Sequence, residues 1–273
     1  MLDVQSFWSE LIPFWWGTRA FRRFILICLL VLPNVGSATT VVALRSDRRI
    51  IVAADSMMGV MKNGSVVSRS LVCKARRVDD IVFANAGLEF VGTISFSAIA
   101  TRNLSGPGSF SVRLKAYYAE TDAALGTALR ALKDGMPMFF KDQVGKTVFS
   151  TLVATVQQGV PILVGREYKL SLNADGSVKI TSSETRCPGD CPAVNGILVL
   201  AGGEHGAIDG YLGVASFGKI PPASWPDRMA QMVQMEIDAL PDKVGPPISV
   251  IVLDSTGIHW HNGESGVCNA NLK

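Results

Sequence analysis

The chain is 273 residues long, with a formal net charge of +3, 48% hydrophobic and 18% charged residues. That balance excludes a disordered or low-complexity chain, and 26 glycines against 13 prolines imply a globular protein with many tight turns. No basic stripe or basic helix accompanies the small positive charge, which excludes a nucleic-acid partner.

The first 38 residues read as an export leader. Arg19, Arg22 and Arg23 precede the apolar run from Phe24 to Leu32, and Pro33-Asn34 breaks it. Gly36 and Ala38 then occupy the third-last and last places of an A-x-A-like cleavage site. A signal peptidase cutting after Ala38 removes 38 of the 273 residues and leaves 235, enough for one large domain over 39–273. The product is expected in the periplasm or secreted. The alternative is a membrane-anchored chain that keeps its leader, although this apolar core is shorter than the roughly 20 residues of a spanning helix. Trp8, Trp15 and Trp16 ahead of the arginines suit a membrane interface. Cys28 lies in the apolar core, behind an Ile27 too bulky for a lipid-attachment site.

Thr39 to Leu44 and Ile50 to Asp55 are β-branched and apolar runs around the polar turn Ser46-Asp47-Arg48, the pattern of a buried antiparallel hairpin. A turn centred on Asp47 makes paired positions sum to 94 and sets Thr39 across from Asp55. Cutting after Ala38 gives Thr39 a free α-amine beside its own hydroxyl, so nucleophile and base share one residue. A second hairpin is expected from Leu71 to Val78 and Ile81 to Gly87, with Lys74 inside its first strand and a loop from Met57 to Ser70 ahead of it. The Lys74 charge would favour the deprotonated hydroxyl and amine, and Asp55 would hold its ammonium.

Helices are expected over Gly87 to Thr101 and Val112 to Met136, separated by the breaker Asn103 to Gly108 and closed by Pro137. A meander follows, with strands at Val148 to Gln157, Pro161 to Glu167 and Val178 to Thr181. Ile197 to Gly203 reads as a strand entering a helix over Glu204 to Ser216. Trp225-Pro226 opens another helix, whose Met229, Met232, Val233, Glu236 and Leu240 form a core-facing stripe. Ser249 to Asp254 and Ile258 to Trp260 close the chain as strands. This order predicts an α+β, four-layer αββα sandwich: two antiparallel sheets covered by helices on both outer faces.

Four cysteines remain beyond the leader: Cys73, Cys187, Cys191 and Cys268. An even count permits two disulfides in an exported chain. Cys187 and Cys191 can close locally and leave Cys73 for Cys268, although three connectivities are open. His205, His259 and His261 have no zinc-type spacing to these cysteines, so no metal and no cofactor are expected.

Thr-Thr-x-Val at 39–42, Val-Ala-Ala-Asp-Ser at 52–56, Lys74 and the Ala86-Gly87 pair together resemble the proteasome β subunits, which are N-terminal nucleophile (Ntn) hydrolases. The sixteen-residue step from Thr39 to Asp55 equals that family's step, while Lys74 comes three residues late. The resemblance implies Thr39 as nucleophile, its amine as general base, Asp55 and Lys74 as activators, and the Gly87 N–H as oxyanion donor. It also carries Asp242 across from a late motif of the family, whose serine partner is absent here. Where the family has a serine-bearing turn, this chain has Ala201-Gly202-Gly203-Glu204, without the hydroxyl, and His205 stands beside it. Ala38 replaces the usual glycine before the nucleophile.

These residues imply an exported threonine-type peptidase or amidase that acts on a peptide or small amide through an acyl-threonine ester. Unmasking by signal peptidase at export excludes an ATPase partner. A homo-oligomer follows from the resemblance alone. The alternative is a catalytically inactive proteasome-fold protein that serves as an exported assembly or interaction module.

Overall fold

The computed structural model describes residues 35–38, 40–62, 65–191, 197–212, 217–261 and 268. Most of the expected leader, and Thr39 itself, lie outside the described residues. The leader's last four residues do not: they form a strand, β1 (Val35–Ala38). Next come β2 (Thr40–Arg45), β3 (Arg49–Ala54), β4 (Met57–Lys62), β5 (Ser65–Leu71), β6 (Ala75–Val78), β7 (Ile81–Val91) and β8 (Ile94–Ser95). Helices α1 (Phe96–Leu104), α2 (Phe110–Gly135) and α3 (Pro137–Gln143) follow, then β9 (Thr147–Gln157), β10 (Val160–Leu172), β11 (Val178–Cys187) and β12 (Leu198–Gly203). Helix α4 (Trp225–Ala239), β13 (Ser249–Asp254) and β14 (Gly257–Trp260) complete the order.

The strands make two antiparallel sheets. One runs β11-β10-β9-β7-β1-β4-β5, with β6 and β8 also paired to β7, and the other runs β12-β2-β3-β13-β14. Side chains alternate across each strand, so the composition of a strand reports what covers its two faces. Val41, Ala43, Ile50 and Val52 of β2 and β3 meet Val82, Ala84 and Ala86 of β7 and Leu152 of β9 between the sheets. Their alternates Val42, Leu44, Ile51 and Ala53 pack under Met229, Met232 and Val233 of α4, which confirms the methionine stripe as core. On the far side of the larger sheet, Phe83, Phe149 and Tyr168 pack under Phe96 of α1 and Leu114 and Tyr117 of α2. Continuous apolar runs in β2 and β3 thus reflect cover on both faces. Ser95 and Ser109 cap α1 and α2 by accepting from the Ala98 and Val112 N–H groups.

Several expectations change. The β2–β3 turn spans Ser46–Arg49, closed by the Ser46 N–H to Arg49 carbonyl bond at 2.8 Å and by the Ser46 hydroxyl accepting from Arg48 and Arg49 N–H. Arg45 therefore pairs with Ile50, partners sum to 95 rather than 94, and Thr40 rather than Thr39 stands opposite Asp55. Met57 to Ser70 is the β4–β5 hairpin, not a loop. Gly87 to Val91 continues β7, and the helix starts only at Phe96. Lys74 precedes β6 instead of lying within a strand. Among the described residues of 204–216, only Asp209–Tyr211 is helical, as a short 3₁₀ turn. The buried Glu236 carboxylate takes the Ala207 and Ile208 N–H groups that a helix there would have used.

Cys73 pairs with Cys268 and Cys187 with Cys191, with Cα separations of 4.8 and 5.4 Å. Two such pairs fit an exported chain. Among the described residues no helix is long and apolar enough to cross a membrane.

Candidate active site

Asp55 follows the last residue of β3, between the two sheets, and is fully buried. A carboxylate can occupy such a place only with its oxygens saturated. Oδ1 accepts from the Thr40 N–H at 3.0 Å and from the Lys74 ammonium at 2.6 Å. Oδ2 accepts from the Met57 N–H at 3.1 Å and the Gly245 N–H at 3.2 Å. The Thr40 hydroxyl donates to the Glu204 carbonyl at 2.7 Å, which ties β2 to the end of β12.

Lys74 is held where the chain enters β6, next to Cys73, whose disulfide to Cys268 fixes that segment. Its side chain is 2% exposed. Burial is the largest influence on it and pushes the ammonium below the usual lysine range, against the Asp55 charge and hydrogen bond. A second buried carboxyl, Glu89 on β7, also bears on Lys74. Burial raises the Glu89 pKa, opposed by hydrogen bonds to Ser97 and by the Arg76 and Lys74 charges. Glu89 and the Gly245 N–H escaped the sequence reading. The one was a lone acid at the start of an expected helix over Gly87 to Thr101, and the other is a backbone group that no side-chain pattern reports.

Gly87 bends β7 at this point, with φ +88°. A Cβ there would lie 2.4 Å from the Val148 carbonyl oxygen, so only glycine fits the close approach of β7 to β9. Ala38 of β1 pairs with Gly87 on one side and with Met58 of β4 on the other. β1 ends in the larger sheet at Ala38 and β2 begins in the smaller sheet at Thr40. The chain thus leaves the larger sheet after Ala38 and is in the smaller one by Thr40, whose N–H meets Asp55.

A cavity of about 580 Å³ opens here, with Gly87, Phe149, Gly203, Glu204 and His205 among its lining. Its rim carries ion pairs: Glu204 with Lys243 at 2.8 Å, and Asp242 with Arg69 at 2.8 Å. Asp242 is therefore an exposed rim residue, outside the buried Asp55–Lys74 network. His205 Nδ1 lies 2.5 Å from Asp209 Oδ1. Of the sequence-predicted residues, the structure brings Asp55 and Lys74 into contact and sets Gly87 against the end of β1. Among the described residues no group of three His, Cys, Asp or Glu side chains converges to hold a metal. No protein-family model matches the chain, and no curated protein matches it.

Proposed function

We propose that the chain is an exported threonine-type N-terminal nucleophile hydrolase of the proteasome-like kind, cleaving amide bonds in extended peptides. The observation that carries this reading is the Asp55 carboxylate, which grips the Thr40 N–H and the Lys74 ammonium with one oxygen in a dry setting. That grip fixes the residue next to Thr39 and keeps a cation beside it. A cation near a hydroxyl and an amine favours their deprotonated forms, which is what a nucleophile activated by its own α-amine requires.

In this mechanism the Thr39 amine takes the hydroxyl proton, the oxygen attacks the substrate carbonyl, and the Gly87 N–H donates to the oxyanion. The carbon–nitrogen bond then breaks to leave an acyl-threonine ester, which water hydrolyses. Peptide over small amide follows from β1. It lies between β7 and β4, which therefore stand two strand spacings apart, about 9.5 Å. Loss of the leader frees a slot one strand wide, edged on both sides by backbone groups in need of partners, and an extended peptide fills such a slot.

Three measurements test the reading on the mature chain. N-terminal sequencing is expected to begin at Thr39. Thr39→Ala is expected to keep the fold and abolish hydrolysis of acetyl-Val-Gly-Ser-Ala p-nitroanilide, whose peptide copies Val35 to Ala38. Turnover that survives this substitution overturns the mechanism, and a threonine-directed electrophile that leaves wild-type mass unchanged supports the inactive assembly module instead.

A further inference from the structure

Amide hydrolysis needs a proton for the departing nitrogen as well as a base for the attacking oxygen. We propose that His205, oriented by Asp209, is the acid that protonates the leaving amine; this rests on the hydrolase reading above.

Three observations carry it. His205 lines the cavity that holds Gly87, and among the described residues it is the only histidine that does so. The residue before it in the chain receives the Thr40 hydroxyl on its carbonyl at 2.7 Å, so the His205 backbone is anchored one step from the neighbour of Thr39. Its Nδ1 is held by Asp209 at 2.5 Å, and among the described residues Nε2 has no hydrogen-bonding partner. A carboxylate on one ring nitrogen fixes the ring and leaves the other nitrogen to face a reacting group. The competing groups on the same lining are engaged or removed from this turn: Lys243 binds Glu204, Asp242 binds Arg69, and Lys146 and Glu167 belong to the β9 and β10 side of the cavity.

The proton balance closes. During acylation the α-amine becomes an ammonium by taking the Thr39 hydroxyl proton. The carbon–nitrogen bond breaks, its electron pair goes to nitrogen, and the His205 imidazolium gives that nitrogen its proton. During deacylation the neutral imidazole takes a proton from the attacking water, and the ammonium returns its proton to the Thr39 oxygen. The site ends as it began.

The test compares two leaving groups on one acyl chain, acetyl-Val-Gly-Ser-Ala as p-nitroanilide and as p-nitrophenyl ester, with the mature enzyme. A nitrophenolate departs without a proton and an anilide does not. His205→Asn is expected to lower kcat/KM on the anilide by about 10²-fold, the lower end for a lost general acid, and on the ester by a far smaller factor. Asp209→Asn is expected to shift the two probes in the same sense by less. Equal losses on both probes, or none on either, overturn the role of His205 while Thr39→Ala still reports on the nucleophile. Absence of turnover of both probes by the wild-type enzyme overturns the hydrolase reading and this role together.

Discussion

Two lysine–carboxylate pairs in the site have similar separations and opposite exposure to solvent. Lys74 meets Asp55 at 2.6 Å with side chains 2% and 0% exposed, and Lys243 meets Glu204 at 2.8 Å with 57% and 41% exposed. At such distances the Coulomb attraction is set by the medium, and so is the cost of losing one partner. The buried pair is held by the fold and in turn fixes Thr40. The exposed pair is a rim feature that water can replace. The contrast teaches that separation alone says little about what an ion pair does, and it orders the mutations by size.

Asp55→Ala stands at the top. It strands a buried ammonium and the Thr40, Met57 and Gly245 N–H groups, and a broken buried pair typically costs about 3–5 kcal/mol. The urea midpoint of unfolding measures it, with an unchanged m-value as control. Replacing both partners, as Asp55→Ala with Lys74→Met, should recover much of the loss, because the two charges of the pair are then removed together. A double variant no better than Asp55→Ala would break the comparison.

Gly87→Ala comes next. Its positive φ alone costs a side chain about 1–3 kcal/mol, and the overlap with the Val148 carbonyl adds to it. Hydrolysis should fall with the stability, since the same backbone segment carries the proposed oxyanion donor. Thr40→Val follows, removing the hydroxyl that donates to Glu204 at the cost of one hydrogen bond, about 1 kcal/mol. Full stability in Thr40→Val would detach β2 from the His205 turn.

The buried charges also give the stability curve two slopes. Glu89 has a raised folded pKa, so from about pH 4.5 up to that value the native chain keeps a proton the unfolded chain has released, and stability declines as pH rises. Lys74 has a lowered folded pKa, so between that value and 10.5 the native chain releases its proton first, and stability increases with pH. Glu89→Gln should flatten the acid-side slope and, by taking a negative charge away from Lys74, widen the alkaline one, both read from urea midpoints across pH. An unaltered slope would place its origin elsewhere.

Much of this was legible in the chain and the remainder failed for identifiable reasons. Runs such as Val41 to Leu44 and Ile50 to Ala54 announced strands covered on both faces, and the methionines of α4 announced a core stripe. Register was harder. Whether a turn centres on Asp47 or spans Ser46–Arg49 depends on the hydrogen bonds of Ser46, and one residue of slip hands Asp55 from Thr39 to Thr40. Helix expectations failed where long-range partners decide: β1 pairs with β7 from Gly87 to Val91 and keeps that stretch in the sheet, and Glu236 takes the N–H groups near Ile208. The Asp55–Lys74 contact was anticipated from residue types, whereas the Gly245 donor and the place of β1 between β7 and β4 emerge only from segments far apart in sequence.

The smallest effect is the sharpest check on the contrast between the pairs. Lys243→Ala removes an exposed ammonium from Glu204, and exposed pairs are worth about 0–1 kcal/mol because both ions regain their hydration when separated. Raising the salt concentration should erase even that difference from the wild type, since mobile ions screen an exposed pair far more than a buried one. The Asp55→Ala deficit should survive the same salt, because the medium around Lys74 is protein. If salt instead diminished both deficits alike, the Asp55–Lys74 pair would be reached by solvent, and its command over the Thr40 backbone would be no greater than that of the rim.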